Sequence, residues 1–566
     1  MSKSFTFSVI FMSFMFFSTR YATGYPGPQD TSQRNVANMA SPYVPVESWV
    51  YPAFALLAAN GYVQSAFFDL RPWTRLDCAR LIEEADDLSA DQPISNEVAA
   101  TLRSLKQEFA WELQRRAGER NTDFRVESVD QRITAIAGRP LTDGYHFAET
   151  LVDDNGRPFG QGANLYSGGS ARAAAGPFAA YVSGEIQRVP AAPAPSAQAQ
   201  QQIAIADFTP EGAAGPPSNF LRGRLLDTYA SFAFANNQLT FGKQTLWWGP
   251  ARSGSTLFSN NAEPITMLRY DRVRPFELPS FLKLLGPIRA QFLVGRLSGA
   301  QFVHTAHTTF GSPGVALKNQ PWINGGKFTF EPTPNFQFGV SLTVLYAGQG
   351  APLTTRTFLR SIFSTGTGDE GNDPGDRRSA VDAEYRIPGL RKCLTGYFDG
   401  FTEDEPFALL YPRRSTWILG TAFRCVPRLP RLTIRAEGLV SPHRNEFPGY
   451  YYFNVHYLSG YTNNRQLIGS WIGREGQGEQ LWATWQASPR SSIEVSTRSM
   501  NVSREFLGGG YLRDLNFVAN LTLHHDWQLL LQDQVEWWRF PLLSSQPQRD
   551  NAFTLQLSYR PIGGTK

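Results

Sequence analysis

The chain has 566 residues and a formal net charge of only +4, which is small for this length and gives no case for nucleic-acid binding. Aromatic residues make up 13% of the chain and charged residues 18%, with 49 glycines; this mixture suits many half-buried strands joined by turns better than a helical enzyme. Past residue 24 no apolar run is long enough for a helical membrane span, so a helical membrane protein is excluded.

The amino terminus has the features of a secretory signal peptide over residues 1–24. Lys3 supplies a positive charge ahead of the apolar run Phe5–Ser18, and the small residues Ala22 and Gly24 offer cleavage points. A membrane anchor is the alternative, but the run is short for a bilayer span of ~20 residues. We therefore expect export followed by removal of this segment.

Residues 45–118 carry helical periodicity. Asn60-Gly61 is a usual helix stop, and Thr74 with Asp77 resembles a capping box. Three segments place apolar residues at helical spacing: Trp49, Ala53, Leu56 and Leu57; then Cys78, Leu81, Ile82 and Ala85; then Val98, Leu102, Leu105, Phe109 and Leu113. The sequence thus predicts a module of about three helices, which with a flexible lead covers residues 25–118.

From about residue 121 the apolar period changes to two. At the end of the chain, apolar residues at 553, 555, 557 and 559 alternate with polar residues at 554, 556, 558 and 560, and the same pattern recurs at 336–346 and 515–524. Alternation of this kind predicts antiparallel strands with one apolar and one polar face.

Connection lengths separate a soluble sheet from a membrane barrel. Tight turns such as Asn236-Asn237 alternate with longer connections at Pro190–Ser218, Trp247–Pro264, Gly348–Arg378, Glu403–Arg414 and Ser441–Pro448. Long loops at one end and tight turns at the other are typical of an outer-membrane β-barrel, which we place at residues 119–566 with about 18–20 strands. Side chains alone cannot fill a lumen of this width, so the barrel either holds a plug or conducts.

Three cysteines are too few for a disulfide framework. Cys78 falls in a helical segment and fits a buried apolar residue. Cys393 and Cys425 lie in two strand-like segments around a loop centred near residue 409. An antiparallel hairpin places these two cysteines opposite each other at its base, where an oxidising compartment permits a bridge. The bridge depends on strand register, so free thiols are the alternative.

Reactive motifs of hydrolases, zinc proteases and nucleotide-binding loops are absent from the sequence, so we expect no enzyme, no cofactor and no metal site. His304 and His307 lie in a loop and His524-His525 at a turn, without further ligands that we can place. Glu403, Asp404 and Glu405 fit a solvated acidic surface better than a catalytic pair.

The stretch "GKQTLWWGPARSGSTLFSNN", residues 242–261, combines two indoles with a polar tail. Leu239–Thr245 rises to the long-loop end, which places the tryptophans where strand gives way to loop. Aromatic faces beside hydroxyl-binding and carboxylate-binding groups are typical of carbohydrate sites. The alternative is an aromatic girdle with lumen arginines paired to acids. Our candidate binding residues are Trp247, Trp248, Arg252, Asn260, Asn261, Arg269, Asp271 and Arg272.

Several stretches together resemble one known family. Phe241–Phe276, with its Gly-Lys-Gln, Trp-Trp-Gly-Pro, Asn-Asn-Ala and Arg-Pro pieces, is similar to the Wzi-type capsule-assembly outer-membrane proteins. Phe401–Gly420, Tyr451–Gly469 and the helical amino-terminal part agree with the same family. The Trp-Trp-Gly-Pro motif is fairly specific, and the similarity spans most of the mature chain.

The resemblance implies an 18-stranded outer-membrane barrel with a periplasmic helical module. It also implies a lectin without catalytic activity, which helps to hold capsular or exported polysaccharide at the cell surface. We expect a monomer in contact with outer-membrane lipid. Sugar specificity cannot be carried over, and the long Pro190–Ser218 and Gly348–Arg378 segments are individual to this chain.

Two rival functions remain open from the sequence. The helical part also looks like one S-layer-homology repeat, which would make it a cell-wall tether, although such repeats usually occur in tandem. A diffusion porin, whose loops only constrict a channel, is the other rival.

Overall fold

The computed structural model describes residues 36–210, 219–304, 313–348, 353–363, 375–403, 405–444, 447–524 and 526–561. The predicted signal peptide lies outside these ranges, so its removal stays a prediction. Among the described residues, no helix is long and apolar enough to cross a membrane.

Between residue 36 and the first barrel strand the structure describes four helices: α1 (Val50–Asn60), α2 (Arg75–Ser89), α3 (Asn96–Glu108) and α4 (Ala110–Arg116). Helix α1 ends at Gly61, whose φ of 90° is the left-handed conformation expected for a glycine stop. The Thr74 side chain accepts a hydrogen bond of 3.2 Å from the Asp77 backbone and so caps α2. The predicted third helix is two helices, because the backbone leaves the helical conformation at Phe109.

The helices share one apolar core around Trp73. The indole of Trp73 is fully buried and packs edge-on against Tyr51, Phe54 and Phe68 at ring distances of 5.0, 5.8 and 5.3 Å. Cys78 is fully buried in the same core, as predicted. The extents 25–118 and 119–566 as separate domains stay a prediction, since the two parts interlock as described below.

Eighteen antiparallel strands form the barrel. They are β1 (Thr122–Ala137), β2 (Gly162–Ala175), β3 (Phe178–Val189), β4 (Phe220–Phe234), β5 (Asn237–Gln244), β6 (Ile265–Arg272), β7 (Ile288–Arg296), β8 (Trp322–Thr333), β9 (Phe336–Tyr346), β10 (Asp376–Arg386), β11 (Leu394–Glu403), β12 (Thr416–Phe423), β13 (Leu432–Val440), β14 (Gly476–Ser488), β15 (Ser491–Val502), β16 (Gly510–His524), β17 (Trp527–Arg539) and β18 (Gln548–Tyr559).

The sheet closes because β1 pairs with both its sequence neighbour β2 and the last strand β18. Alternation sets the two faces, as predicted. On β18, Leu555 and Leu557 point outward and are each 39% exposed, whereas Thr554 and Ser558 point inward and are buried. The fold class and the lower end of the predicted strand number are therefore confirmed.

Most long connections lie at one end of the barrel and the tight turns lie at the other, as expected, although residues 273–287 form a long connection at the short-turn end. Two helices, α5 (Ala197–Asp207) and α6 (Thr355–Phe363), belong to long connections. The predicted loop Ser441–Pro448 is too short, because no barrel strand starts before Gly476 in the described part of that connection. The intervening aromatic-rich segment packs into the barrel interior and does not join the wall.

The helices lie at the short-turn end and are fastened to it. Arg391, in the turn between β10 and β11, donates to the Ala58 carbonyl at 3.1 Å. Arg490, in the turn between β14 and β15, pairs with Glu108 at 3.2 Å. Because these contacts come from distant turns, the helical part sits across the barrel opening.

Residues 66–74 leave the helices and enter the lumen. The inward side chain of Gln337 on β9 donates to the Ala66 carbonyl at 2.5 Å and accepts from the Phe68 backbone at 3.3 Å. Asp69 lies 3.4 Å from the buried Lys327 ammonium on β8 and accepts a 3.0 Å hydrogen bond from Thr329. This segment therefore fills part of the lumen and supplies a counter-charge to its wall.

Cys393 and Cys425 are bonded to each other in the structure, with their Cα atoms 4.8 Å apart. The hairpin β11–β12 has the antiparallel register on which this pairing depends, with Leu394 opposite Phe423. The Arg424 backbone donates to the Cys393 carbonyl at 2.8 Å, so both cysteines lie at the short-turn end.

A thiol titration tests the bridge. Unfolded, unreduced protein should expose one reactive thiol, that of Cys78, and fully reduced protein should expose three. Cys425→Ser is the control and should expose two thiols without reductant. Finding three thiols in the unreduced wild-type protein would disprove the bridge.

Candidate functional site in the lumen and the long loops

The Trp-Trp segment turns into the barrel instead of outward. Just after β5 ends at Gln244, Trp247 and Arg71 exchange two backbone hydrogen bonds of 3.0 and 3.1 Å. Trp248 is 1% exposed, and its indole donates to the Gln291 side chain at 2.9 Å. Its ring packs edge-on against Phe258 at 4.8 Å. Both indoles are therefore packed inside the protein, and neither offers an open face at the surface.

Gly249 explains the break that follows the tryptophans. A Cβ at this position would lie 2.2 Å from a carboxylate oxygen of Asp399 on β11. That carboxylate accepts hydrogen bonds from the Ser255 hydroxyl at 2.6 Å and the Thr256 backbone at 3.1 Å. The glycine is needed because a buried wall carboxylate anchors the loop at this point.

The polar tail joins three long loops. Asn261 donates to the Leu467 carbonyl at 3.2 Å and accepts from the Asp153 backbone at 3.1 Å. The Asn260 carbonyl accepts from Asn155 at 2.7 Å. Both asparagines are buried. We call four long connections at this end of the barrel, in their described residues 138–161, 190–210, 245–264, 441–444 and 447–475, the loop cap.

Arg252 reaches the opposite wall of the barrel. Its guanidinium forms two hydrogen bonds of 2.6 and 2.7 Å with Glu494 and lies 5.2 Å from the Trp482 ring centre. Its backbone donates to Glu437 at 2.7 Å. The side chain is 37% exposed, so among the candidate residues Arg252 keeps the clearest access to water.

The remaining candidates lie elsewhere. Arg269 and Asp271 on β6 are fully buried in the wall; the Arg269 guanidinium stacks on Tyr43 at 3.9 Å, and Asp271 pairs with Arg289 at 3.3 Å. Arg272 donates to the Ala235 carbonyl in the tight turn between β4 and β5 at 2.9 Å. The structure therefore separates these three residues, which serve the short-turn end and the wall, from the Trp247–Asn261 loop.

Sequence reasoning missed a buried arginine at the centre of the loop cap. Arg474 is 1% exposed and its guanidinium is enclosed by the rings of Tyr145, Phe453 and Phe506 at 4.8, 4.6 and 4.7 Å. It pairs with Asp207 of α5 at 2.5 Å. The spacing of aromatic residues gave no signal for this cage, since its rings come from three separate loops.

His146 continues this network. Its two ring nitrogens lie 2.7 Å from Asp143 and 2.6 Å from Asp207. Burial alone would lower the pKa of His146, but the two carboxylates outweigh burial and raise its pKa to about 10. The imidazole is therefore positively charged at neutral pH and holds the 138–161 loop to α5.

The acidic run is not the solvated surface that the sequence favoured. Glu403 is buried, lies 3.0 Å from the Arg378 guanidinium and accepts from the Tyr452 backbone at 2.5 Å. Glu405 pairs with Arg414 at 3.0 Å, and Asp404 lies outside the described residues. A buried arginine on the neighbouring strand reversed the expectation, and sequence spacing does not reveal such a partner.

The histidines singled out in the sequence are placed only in part. His304 is buried and its ring lies 2.8 Å from the Val455 carbonyl, while His307 and His525 lie outside the described residues. His443, Glu475 and Glu505 do approach one another within 4.8 Å. However, Glu475 already contacts His443 at 2.6 Å and accepts from the Gly449 backbone at 2.5 Å. This cluster therefore serves the packing of the loop cap.

Comparisons with known proteins agree with this geometry. Residues 131–553 match the family described as capsule assembly protein Wzi. An uncharacterized 55.8 kDa protein in the cps region of Klebsiella pneumoniae is 26% identical over 192 residues, which cover 33% of this chain and 35% of that protein.

Solved structures include barrels with a similar fold. The structure of Wzi from Escherichia coli, described as an outer-membrane protein of group 1 capsule assembly and a carbohydrate-binding β-barrel, has a TM-score of 0.65 and 15% identity, with coverage of 92% of this chain and 99% of that chain. OccAB1 of Acinetobacter baumannii has a TM-score of 0.42 and 10% identity, with coverage of 77% and 96%.

Fold and site together define a plugged outer-membrane β-barrel of the Gram-negative type, whose long loops form an ordered layer over a filled lumen. Within that class, the chain belongs to the capsule assembly protein Wzi family. We propose that the long-loop end is the external end and that the helices lie at the periplasmic end, because outer-membrane barrels have short periplasmic turns and longer extracellular loops.

Removing the indole of Trp248 should destabilise the whole barrel. We expect Trp248→Ala to lower the free energy of unfolding by about 3–5 kcal/mol, because a large buried side chain leaves a cavity. Trp248→Phe keeps most of the packing and should lose less than half as much. Urea unfolding followed by gel mobility of unboiled samples measures the difference, and equal stability of Trp248→Ala and wild type would contradict the buried placement.

The His146 network predicts a pH dependence. Since the folded pKa is raised above the ordinary 6.5, the stabilisation is fully present below pH 6.5 and is lost as pH rises through about 10. The stability advantage of wild type over His146→Gln should shrink across this window. Protease resistance of the external loops in both proteins measures it, and an advantage that grows with pH would refute the assignment.

Proposed function

We propose that the protein binds exported or capsular polysaccharide at its external end and helps to retain it at the cell surface. The observation that carries this proposal is the loop cap, in which long external loops are joined to each other and to the filled lumen by buried hydrogen bonds and ion pairs. Such a surface is pre-organised, which lowers the entropic cost of binding a flexible polymer.

The proposed contact surface is the basic-aromatic patch, defined by Tyr411, Arg413, Arg414, Arg444 and Tyr450. Tyr411, Arg413 and Arg414 are exposed, and Tyr450 and Arg444 are partly exposed. The Arg444 guanidinium lies 4.2 Å from the Tyr450 ring centre. Aromatic faces cover the apolar side of a pyranose, and arginines engage hydroxyl and carboxylate groups.

Two loops meet at this patch. Tyr451 is buried beneath it, and burial raises the pKa of Tyr451, whereas the charges of Arg444 and Arg414 oppose that rise. Both arginines, from separate loops, are therefore close enough to act on one phenol. A ligand that spans the two loops would meet positive charge from each.

The residues named from sequence have supporting roles in this proposal. Trp247, Trp248, Asn260 and Asn261 fix the path of the loop beneath the patch, and Arg252 ties that path to the far wall. Arg269, Asp271 and Arg272 stabilise the wall and its periplasmic turns. Substitution of Trp247, Trp248, Asn260 or Asn261 should weaken binding through the shape of the loop cap.

Known relatives support the proposal. The similar Escherichia coli structure is described as carbohydrate-binding and as involved in group 1 capsule assembly. We further propose that this chain acts as a monomer in outer-membrane lipid and without catalysis, since its conspicuous polar groups are engaged in holding loops together.

Complementation of a deletion strain tests the patch. Arg444→Ala and Tyr450→Ala should each reduce surface-retained polysaccharide, because they remove charge and ring surface from the same contact. The matched control is Arg431→Ala, which removes an exposed arginine at the periplasmic end, where its guanidinium donates to Ala487. It should retain polysaccharide like wild type.

Folding of each variant is checked by heat-modifiable gel mobility. If both patch variants fold and retain polysaccharide normally, the patch is wrong; if the full deletion changes nothing, the function is wrong. Single-channel recordings in bilayers distinguish the proposed polysaccharide-binding protein from a diffusion porin, since a large and steady open conductance is expected only for a diffusion channel. A cell-wall tether predicts instead that isolated peptidoglycan captures the protein.

A further inference from the structure

Three arginines gather on the outer, lipid-facing side of the barrel near its external end. They are Arg513 on β16, Arg539 on β17 and Arg549 on β18, and all three are exposed. Arg513 and Arg549 lie directly opposite Trp537 on either side of β17, and Arg539 follows Trp537 by two residues. We call these residues with Trp537 the outer arginine cluster.

Their orientation follows from strand alternation. On β16, Leu515 and Phe517 share the outward face with Arg513 and are 50% and 42% exposed. The neighbouring Leu512 and Asp514 are buried on the inward face. The side chain of Arg513 therefore projects from the lipid-facing side of the strand and does not enter the lumen.

Trp537 fixes the level of the cluster in the membrane. It is 41% exposed on the outward face, and tryptophans in this position belong to the aromatic girdle at the membrane interface. The outward residues of β16 run from Leu515 to Leu523 towards the periplasm as an apolar band. The arginines thus lie where the band ends, at the headgroup level of the outer leaflet.

The cluster lacks internal charge compensation. None of the three arginines forms an ion pair with another residue in the part of the chain that the structure describes. Two of the arginines lie beside aromatic rings. The guanidinium carbon of Arg513 is 5.8 Å from the Tyr511 ring centre, and that of Arg549 is 5.7 Å from the Trp537 ring centre. Two strand spacings separate Arg513 from Arg549, roughly 10 Å at ~4.8 Å per spacing.

Nearby outward acids belong to other positions. Glu479 shares the row of Arg513 and lies two strand spacings from it, beyond Ser499, on the side opposite Arg549. Asp533 lies four residues before Trp537 on β17 and accepts a 2.8 Å hydrogen bond from Asn551. Glu479 is therefore closer to Arg513 than to Arg539 and Arg549, and the cluster keeps a net positive charge at this level of the wall.

We propose that the outer arginine cluster binds the phosphate groups of a phosphorylated glycolipid of the outer leaflet. Guanidinium groups match phosphate oxygens through paired hydrogen bonds, and several of them around one tryptophan can hold more than one phosphate. The indole would pack along the sugar or the upper acyl chains. This inference is independent of polysaccharide binding, since it uses the barrel wall and none of the loop cap.

The test compares lipid retention after reconstitution into phosphatidylcholine vesicles that contain bis-phosphorylated lipid A, monophosphorylated lipid A or phosphatidylglycerol. Native mass spectrometry of the detergent-extracted protein then counts the bound lipid. Wild type should retain the bis-phosphorylated form in preference to the other two. The triple variant Arg513→Gln, Arg539→Gln, Arg549→Gln should lose at least about tenfold in retention, because interfacial arginines each add to the attraction for anionic lipid.

Arg188→Gln is the matched control. Arg188 is also an exposed outward arginine at the external end, but its cross-strand neighbours are Leu165 and Leu221 and no other arginine. It should bind lipid A like wild type. If the triple variant does not fold, Arg549→Gln alone should still show a measurable loss of preference.

Three results would overturn the proposal. The first is unchanged retention of bis-phosphorylated lipid A by a folded triple Gln variant. The second is a loss of lipid A retention in Arg188→Gln as large as that in the triple variant. The third is retention of phosphatidylglycerol by the wild-type protein as strong as its retention of bis-phosphorylated lipid A. The triple Lys variant at the same positions adds a readout of geometry. It should keep part of the lipid retention but lose the preference for the bis-phosphorylated form. Lysine preserves the positive charge but lacks the planar guanidinium that forms paired hydrogen bonds with a phosphate.

Discussion

A closed barrel of eighteen strands encloses more space than its own inward side chains can fill, and this constraint governs the rest of the molecule. The chain fills the space from both ends. Residues 66–74 enter from the end that carries the helices, and the Trp247 loop enters from the long-loop end. The two segments exchange backbone hydrogen bonds at Arg71 and Trp247. The largest buried apolar cluster contains residues from each of these segments and from the 447–472 loop.

Filling the lumen also solves an electrostatic problem of the wall. Inward positions of a barrel strand are polar, and once water is displaced each charge there needs a partner. Lys327 is fully buried between Asp382 of the wall and Asp69 of the entering segment, and Asp399 is satisfied by Ser255 and Thr256 of the entering loop. Plug and wall are therefore complementary in charge as well as in shape.

The same filling explains why the proposed binding surface lies outside the lumen. Indoles that are packed in the lumen cannot stack on a sugar, so the proposed contacts pass to residues above them, in the 405–415 and 441–450 loops. Buried ion pairs of Arg474 and His146 hold the adjoining 138–161, 190–210 and 447–475 segments of the loop cap in place. The molecule then presents two separate basic surfaces, one on top of the loop cap and one around the barrel wall at the outer leaflet.

Local features of the fold can be predicted from neighbouring residues alone. Alternating residues such as Thr554 and Leu555 assign the two faces of a strand, turn chemistry marks the tight ends, and the positions of Cys393 and Cys425 relative to one hairpin predict their opposition. These features depend on neighbours in sequence or on a single register, and for this reason alternation and loop lengths predicted the barrel and its approximate strand number.

The direction in which the long segments turn depends on contacts that the sequence does not reveal. Trp248 and Arg269 look equally available in sequence, yet one is a lumen filler and the other belongs to the wall. Glu403 looks solvated but is paired with Arg378 across neighbouring strands. The direction of a loop and the partner of a charge are set by contacts far apart in sequence, which the space and the unpaired charges of the closed lumen impose.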